Sequence, residues 1–367
     1  MNIPFVDLKA QYNVLKKDID AQIQKVLDHG LYIMGPEVQE LEKELATYTG
    51  SKHCITCASG TDALIIPLMA YGVGPGDEVI VPAFSFIATA EAIVLVGATP
   101  VMVDIDPVTY NMDPKKIEEA ITSRTKAICP VSLYGQPADM DEINAIAKKH
   151  GLWVMEDSAQ SFGGTYKGKK SSNLSEIGAT SFFPAKPLGC YGDGGAIFTN
   201  DDQKAEVMKS IRFHGQAERY QHVRIGMNGR MDTLQCAIML PKLKRFPWEV
   251  EQREKIAQAY NDGFKNLKGV TIPVVRADRT TAWAQYTLRV PKRSELQAAL
   301  KEKGIPTSVH YPIPMSKQEA YKTNSKVVSD RLSIEASQEV MSLPMYPDMD
   351  TKTLNYIVDS VRSAINA

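Results

Sequence analysis

The first 160 residues repeat one pattern, in which a short apolar run is followed by a longer segment with apolar positions three and four residues apart. A short apolar run predicts a buried strand, and the wider spacing predicts a helix. The predicted strands are 53–57, 78–81, 100–104, 126–131 and 152–156. The predicted helices among them are 61–71, 87–96 and 139–150. Such alternation is typical of an α/β fold with a mostly parallel sheet between two layers of helices.

Two amphipathic helices are predicted before this repeat, at 8–28 and 36–48. In the second of them Val38, Leu41 and Leu45 follow the three-and-four spacing of a buried helical face. The glycine-bounded segment between the two helices carries an aromatic residue, Tyr32, and is predicted to be a turn.

Beyond residue 240 the pattern changes, because Pro241 and Pro247 interrupt it before a long charged segment begins. The later predicted helices are 248–264, one near 327–340 and one at 351–365. We therefore predict two domains, a large one over residues 1–246 and a smaller C-terminal α/β domain over residues 247–367.

The charge of the chain is balanced, with 42 basic and 43 acidic residues among 367. A net charge near zero gives no electrostatic reason to expect nucleic acid or an anionic membrane as a partner. The N-terminus lacks the pattern of a signal peptide, and the longest apolar run, 92–103, is too short to span a bilayer. We therefore expect a cytoplasmic protein that binds neither membrane nor nucleic acid.

The cysteines and histidines predict no metal site. Five cysteines are widely scattered, which favours a reduced compartment over a disulfide framework. Cys54 and Cys57 have the CxxC spacing, but no second pair is present and the two lie in a predicted strand. The glycine-rich segments 163–169 and 72–77 resemble phosphate and dinucleotide motifs, but neither has the complete pattern or the strand and helix that the motif requires.

A lysine lies in a loop between two apolar runs, one ending at Phe183 and the other beginning at Ala196. Gly and Pro residues surround it, and Lys186 is the single cation of the loop. A buried lysine amine can form a Schiff base with an aldehyde, although a lysine in a turn is more often a surface residue. The segment alone therefore leaves both interpretations open.

Three further groups follow strands whose carboxyl ends a parallel sheet brings to one edge. Residues 58–62 are small and begin a helix, so backbone N–H groups with the Ser59 and Thr61 hydroxyls can hold a phosphate. Asp157 ends a strand and can pair with a protonated ring nitrogen, and Phe84 can cover a flat ring. A phosphate site, a carboxylate and a lysine together are what pyridoxal 5′-phosphate (PLP) requires.

Several segments of the chain resemble the DegT/DnrJ/StrS nucleotide-sugar aminotransferases. These segments are 59–63, 156–160 and 181–189, and the similarity also includes 30–36, 82–86, 212–215, 228–232 and 310–312, so that it covers nearly the whole chain. The resemblance implies a fold-type-I PLP-dependent transferase that acts as a homodimer with shared active sites. It also implies transamination of a nucleotide-linked keto sugar, with L-glutamate as the amino donor.

The resemblance further assigns roles to individual residues. It implies a Schiff base on Lys186, with Asp157 on the pyridine nitrogen and Gln160 on the phenolic oxygen. It places Phe84 in the position that stacks on the ring. The implied phosphate contacts are Gly60, Thr61, Ser181 and, from the second subunit, Asn228.

Residues 186–193, 214–216 and 310–314 resemble a narrower group within the family. Members of that group aminate C3 of UDP-2-acetamido-2-deoxy-3-oxo-glucuronate for bacterial surface polysaccharide such as O-antigen. An anionic substrate favours cationic and polar contacts, and the candidates are Arg230, His310 and Tyr311, with Tyr32 at the edge.

Three alternatives stay open at this point. The substrate could be a 4-keto nucleotide sugar, or the chain could be a related sugar 3-dehydratase, although those enzymes have His in place of Lys186. A non-catalytic sugar-binding or regulatory protein on the same scaffold is the third. The complete set of Lys186, Asp157 and Gln160 argues against the last two.

Overall fold

A computed structural model describes residues 3–366 of the chain. The helices, in chain order, are α1 Leu8–His29, α2 Pro36–Thr49, α3 Gly60–Ala70, α4 Ala88–Leu95, α5 Met140–His150, α6 Asp202–Arg212, α7 Thr233–Phe264, α8 Arg293–Glu302, α9 Arg331–Glu339 and α10 Thr351–Asn366. The strands are β1 His53–Cys57, β2 Glu78–Pro82, β3 Thr99–Val103, β4 Thr125–Ile128, β5 Trp153–Asp157, β6 Thr165–Tyr166, β7 Lys169–Lys170, β8 Ile177–Ser181, β9 Gly195–Thr199, β10 Gln216–Glu218, β11 Gln221–His222, β12 Arg279–Thr280, β13 Tyr286–Arg289, β14 Lys326–Val327 and β15 Val340–Leu343.

Eight strands form one large sheet in the order β1-β9-β8-β5-β4-β2-β3-β14. Strand β9 is antiparallel to both of its neighbours, whereas the other pairings in this sheet are parallel. The carboxyl ends of β1, β2, β5 and β8 therefore point the same way. This arrangement confirms the predicted fold class, a mostly parallel sheet between helices.

Successive residues of a strand point to opposite faces of the sheet, and both faces are buried. Val79 and Val81 of β2 pack in a core with α3 and α4, whereas Ile80 between them packs with Ile143 of α5. Every residue of β2 and β9 is buried, which explains why these strands have continuous apolar runs rather than an alternating pattern.

The predicted elements up to residue 157 are all present, with ends that differ by a few residues. The interpretation of residues 240–247 as an interruption is wrong, because α7 continues from Thr233 to Phe264 with Pro241 and Pro247 inside it. The predicted domain boundary after residue 246 therefore falls within one helix.

The C-terminal part of the chain has a hydrophobic core of its own, built around Tyr260, Tyr286 and Leu288. It also returns to the large sheet, since β14 pairs with β3, and Met315 and Tyr321 belong to the main core. The two predicted domains thus share both a helix and a sheet.

Among residues 3–366 no helix combines the length and apolar character that crossing a bilayer requires. All five cysteines are buried as free thiols.

Candidate active site

A cavity of about 470 Å³ opens where the carboxyl ends of the parallel strands meet. It is bordered by loops that follow β1, β2, β5 and β8, and by two segments from the C-terminal part of the chain. The predicted site residues that line it are Gly60, Thr61, Asp157, Gln160, Ser181, Lys186, His310 and Tyr311.

The N-terminus of α3 forms one end of this cavity. The Ser59 hydroxyl accepts a hydrogen bond from the Asp62 N–H, at 3.1 Å, and so caps the helix. A Cβ on Gly60 would lie 2.5 Å from the Ser181 Cβ, so only glycine allows β8 to approach this closely. The result is a cradle of backbone N–H groups and hydroxyls with the size and charge preference of a phosphate site.

Asp157, at the end of β5, is buried and held through both carboxylate oxygens. The Thr89 hydroxyl donates to Oδ2 at 2.7 Å, and the Ala159 N–H donates to Oδ1 at 3.1 Å. Burial raises the pKa of Asp157, while these hydrogen bonds and the charge of Lys186 act in the opposite direction. The carboxylate is therefore fixed in place as a partner for a buried cation.

Lys186 reaches the same cavity from the loop between β8 and β9. Burial lowers the pKa of its amine, and the negative charge of Asp157 opposes this shift. A lowered pKa increases the neutral, nucleophilic fraction of the amine at a given pH. The loop is held by Gln235 of α7, whose side-chain amide oxygen accepts a hydrogen bond from the Tyr191 N–H at 2.9 Å.

Gln160 is oriented at both ends of its amide. Its Oε1 accepts from the Tyr134 N–H at 2.9 Å, and its Nε2 donates to the Tyr311 hydroxyl at 3.2 Å. Burial and the nearby Asp157 raise the pKa of Tyr311, so its hydroxyl stays protonated and able to donate. Gln160 and Tyr311 together place hydrogen-bonding groups on the wall beside Asp157.

The expectation that Phe84 covers a cofactor ring is wrong. Phe84 is fully buried in a core with Val131 and Leu133, below the cavity wall. Two residues later the chain turns toward α4, and there Phe86 lines the cavity with half of its side chain exposed. The aromatic surface that this segment offers to a flat ring is therefore Phe86.

His310 lines the cavity, but it is not the cation that an anionic substrate was expected to meet. Burial, and secondarily the charge of Lys186, lower the pKa of His310 to about 4. Its Nδ1 lies 3.0 Å from the Ser342 hydroxyl. At neutral pH the ring is thus an uncharged hydrogen-bonding group.

Besides Phe84, three predicted residues lie away from this cavity. Tyr32 is half-exposed in the turn between α1 and α2, next to the equally exposed Leu31 and Ile33. Asn228 is exposed, and the Arg230 guanidinium stacks 4.7 Å above the centre of the Phe213 ring. The structure does not bring these side chains to the cavity of their own chain.

Several lining or supporting residues were not predicted from the sequence, among them Ser85, Phe86, Thr89 and Gln285. Ser85 and Phe86 lie in the loop after β2, and Thr89 lies in the first turn of α4, so their position after a strand end was the available signal. Gln285 precedes β13 in a segment that has no motif.

The residues present fit PLP. The cradle at Gly60 suits its phosphate, Asp157 its ring nitrogen, and Lys186 its aldehyde carbon. The buried Ser85 hydroxyl also lines this cavity and has no protein partner within residues 3–366. Such an unsatisfied group is typical of a site that a polar ligand completes.

Residues 13–362 match the DegT/DnrJ/EryC1/StrS aminotransferase family. The chain is 56% identical, over 97% of its length and 98% of the relative's, to UDP-2-acetamido-2-deoxy-3-oxo-D-glucuronate aminotransferase of Pseudomonas aeruginosa. A crystal structure of an aminotransferase of the same family from Brucella abortus superposes with a TM-score of 0.97, at 43% identity and full coverage of both chains. NtdA of Bacillus subtilis, with bound pyridoxamine phosphate, superposes with a TM-score of 0.93 at 33% identity, covering all of this chain and 86% of that one.

Proposed function

The chain belongs to the DegT/DnrJ/EryC1/StrS aminotransferase family, and we propose that it aminates C3 of UDP-2-acetamido-2-deoxy-3-oxo-glucuronate. The protein is a PLP-dependent sugar aminotransferase, and the proposal concerns its sugar, its donor and its assembly. The observation that carries the choice of sugar is the similarity over nearly the whole of both chains to the Pseudomonas aeruginosa enzyme. We propose L-glutamate as the donor and a product used for surface polysaccharide.

When bound, PLP stores the amino group between the two half-reactions and withdraws the electron pair left behind by a departing Cα proton. Asp157 keeps a proton on the ring nitrogen by pairing with it, which maintains that electron withdrawal. The Thr89 and Ala159 hydrogen bonds oppose the effect of burial and favour the ionised carboxylate that this pairing needs.

Lys186 supplies the base. Its neutral Nζ takes the proton from the Cα of the donor and delivers a proton to the former aldehyde carbon of the cofactor. In the half-reaction with the sugar, the same transfers run in reverse. Burial of the amine favours the neutral form that this step requires. Gln160, fixed by Tyr134 and Tyr311, orients the phenolic oxygen.

We also propose that two copies of the chain share their active sites. The half-exposed apolar side chains Leu31, Ile33, Phe86 and Phe183 support this, because Phe86 and Phe183 also line the cavity. Exposed apolar surface beside a binding site is typical of a subunit interface. Asn228 and Arg230, which lie outside the cavity of their own chain, would then contribute to the cavity of the second chain.

The five free thiols support a cytoplasmic location.

The proposal is tested with purified enzyme, L-glutamate and a set of UDP- and dTDP-linked 3-keto and 4-keto sugars. The expected result with the UDP-linked 3-keto glucuronate is a 3-amino sugar and an equal amount of 2-oxoglutarate. Mass spectrometry and NMR identify both products. Lys186→Ala should form neither product. Preferential amination of a 4-keto sugar would replace the proposed substrate, and a colourless wild-type protein that forms no product would favour a non-catalytic one.

A further inference from the structure

Gln285 is a polar residue that lines the cavity and has no role in the proton transfers described above. The C-terminal part of the chain contributes three lining residues, Gln285, His310 and Tyr311. The phosphate cradle, Asp157 and Lys186 come from the large sheet and its loops. The wall formed by the C-terminal part is therefore available to the substrate.

Gln285 differs from its two neighbours on this wall because its side-chain oxygen has no partner among residues 3–366. His310 is hydrogen-bonded to Ser342, and Tyr311 receives the Gln160 amide. The Oε1 of Gln285, by contrast, is buried and accepts no hydrogen bond from any residue that the structure describes. A buried amide oxygen without a donor is destabilising, so a residue kept in this state indicates a ligand that satisfies it.

The backbone of Gln285 is held beside Tyr134. The Gln285 N–H lies 3.4 Å from the Tyr134 carbonyl oxygen, and the Tyr134 N–H donates to Gln160. The next residue, Tyr286, begins β13 and is fully buried. Gln285 therefore stands on the same wall as Gln160.

A primary amide offers one acceptor and an N–H donor side by side. The N–H of a secondary amide is a fixed donor for the unpartnered Oε1 of Gln285. A carboxylate has only acceptors and would leave Oε1 unsatisfied, and a hydroxyl can turn its proton to another acceptor. The substrate proposed above carries a secondary amide, the acetamido group on C2, next to the carbon that receives nitrogen.

We propose that Gln285 binds the 2-acetamido group and selects sugars that carry it over sugars with a 2-hydroxyl. This assignment rests on the proposed function and goes further by naming the residue that reads C2. The residue is a specificity determinant and takes no part in proton transfer.

The test is a calorimetric titration of the PLP-loaded protein with UDP-N-acetylglucosamine and UDP-glucose, which differ at C2. Wild type should bind UDP-N-acetylglucosamine up to about ten-fold more tightly, the difference that one neutral hydrogen bond supports. Gln285→Met, which keeps the length and removes the amide, should lose this preference and bind UDP-glucose as wild type does. Gln258→Met, an exposed position on α7, is the control and should bind as wild type.

Three results would overturn the assignment. Wild type could bind both nucleotide sugars equally, Gln285→Met could keep the preference, or Gln285→Met could lose affinity for both ligands equally. The absorbance of bound PLP and the thermal midpoint of Gln285→Met show whether its fold is intact. The reaction of wild type with L-glutamate alone distinguishes a failure of the Gln285 assignment from a failure of the proposed function. If L-glutamate is converted but neither nucleotide sugar binds, the proposed sugar substrate is wrong. If L-glutamate is not converted, the proposed amino donor is wrong.

Discussion

Thr89 is the residue on which the ionisation of Asp157 depends most directly. Its hydroxyl is buried, donates to Oδ2 of Asp157, and takes no part in capping α4. Thr89→Val keeps the shape and removes the hydrogen bond, so the pKa of Asp157 should rise. A hydrogen bond to a charged group is worth about 1.5–3 kcal/mol, so on the acidic side of the pH profile the rate with L-glutamate should fall about ten-fold or more.

The measurement is the pH dependence of that half-reaction, followed through the cofactor absorbance. Asp157 is active when ionised, so a higher pKa moves the acidic limb of the profile to higher pH. Thr89→Ser retains the hydroxyl and should keep the wild-type profile. A Thr89→Val enzyme with an unmoved acidic limb would show that Thr89 does not control this carboxylate.

Gly60 sets the distance between the phosphate cradle and β8. Gly60→Ala places a Cβ 2.5 Å from the Ser181 Cβ, and forcing this contact apart should weaken PLP binding about ten-fold. Fluorescence titration of the apoprotein with PLP measures the effect. Gly74→Ala, where the nearest atom would be 3.8 Å away, should bind PLP normally. Equal affinities of the two variants would count against the cradle.

At the residue scale the sequence was informative where a side chain follows a strand end directly. Asp157 ends β5 and Ser181 ends β8, so the direction of each side chain follows from the strand. Phe84 and Phe86 lie beyond β2, where the backbone turns and the alternation no longer tells which ring faces the core. The neutral state of His310 depends on burial by segments distant in sequence, and no local pattern contains that information.

At the scale of elements, the predicted strands and helices of the first half agree with the structure because each has a strong apolar pattern. The sequence predicts a helix only from residue 248, because proline usually ends a helix. In the structure Pro241 is buried within α7, whose neighbours include α1 and α2, and packing against these helices offsets the lost hydrogen bonds. Tertiary packing of this kind is not visible in the local sequence.

Helix α7 also carries a buried lysine, Lys242, whose Nζ lies 4.5 Å from the centre of the Tyr191 ring. Burial lowers the pKa of Lys242 to about 8, against 10.5 in the unfolded chain. Between these two values the unfolded state binds more protons, so the contribution of Lys242 to the free energy of unfolding rises with pH. The penalty is complete below pH 8 and disappears above 10.5.

Lys242→Met should therefore be more stable than wild type at pH 7, by about 1 kcal/mol after the lost contact with Tyr191 is counted. At pH 10.5 this advantage should vanish. Urea unfolding at the two pH values measures the difference between wild type and variant. Lys244→Met, an exposed position on the same helix, should show no such pH-dependent gain. A constant difference for Lys242→Met would contradict a buried, destabilised charge.

At the scale of the whole molecule, the fold class follows from the alternation of strands and helices, but the assembly does not. The cavity of one chain holds Lys186 and Asp157, whereas Asn228 is exposed on its own subunit. If Asn228 completes the phosphate site of a second copy, each active site combines two chains, and variants of the two residues can complement each other.

Lys186→Ala and Asn228→Ala are prepared separately, mixed in equal amounts and allowed to exchange subunits. In a mixed dimer one site has lost both residues, and the other joins an intact Lys186 to the intact Asn228 of the second chain. Random exchange should restore about a quarter of wild-type activity, because half of the dimers are mixed and each has one intact site. If Asn228 instead acted within its own chain, every site would lack one of the two residues. The mixture would then be no more active than the mean of its two components.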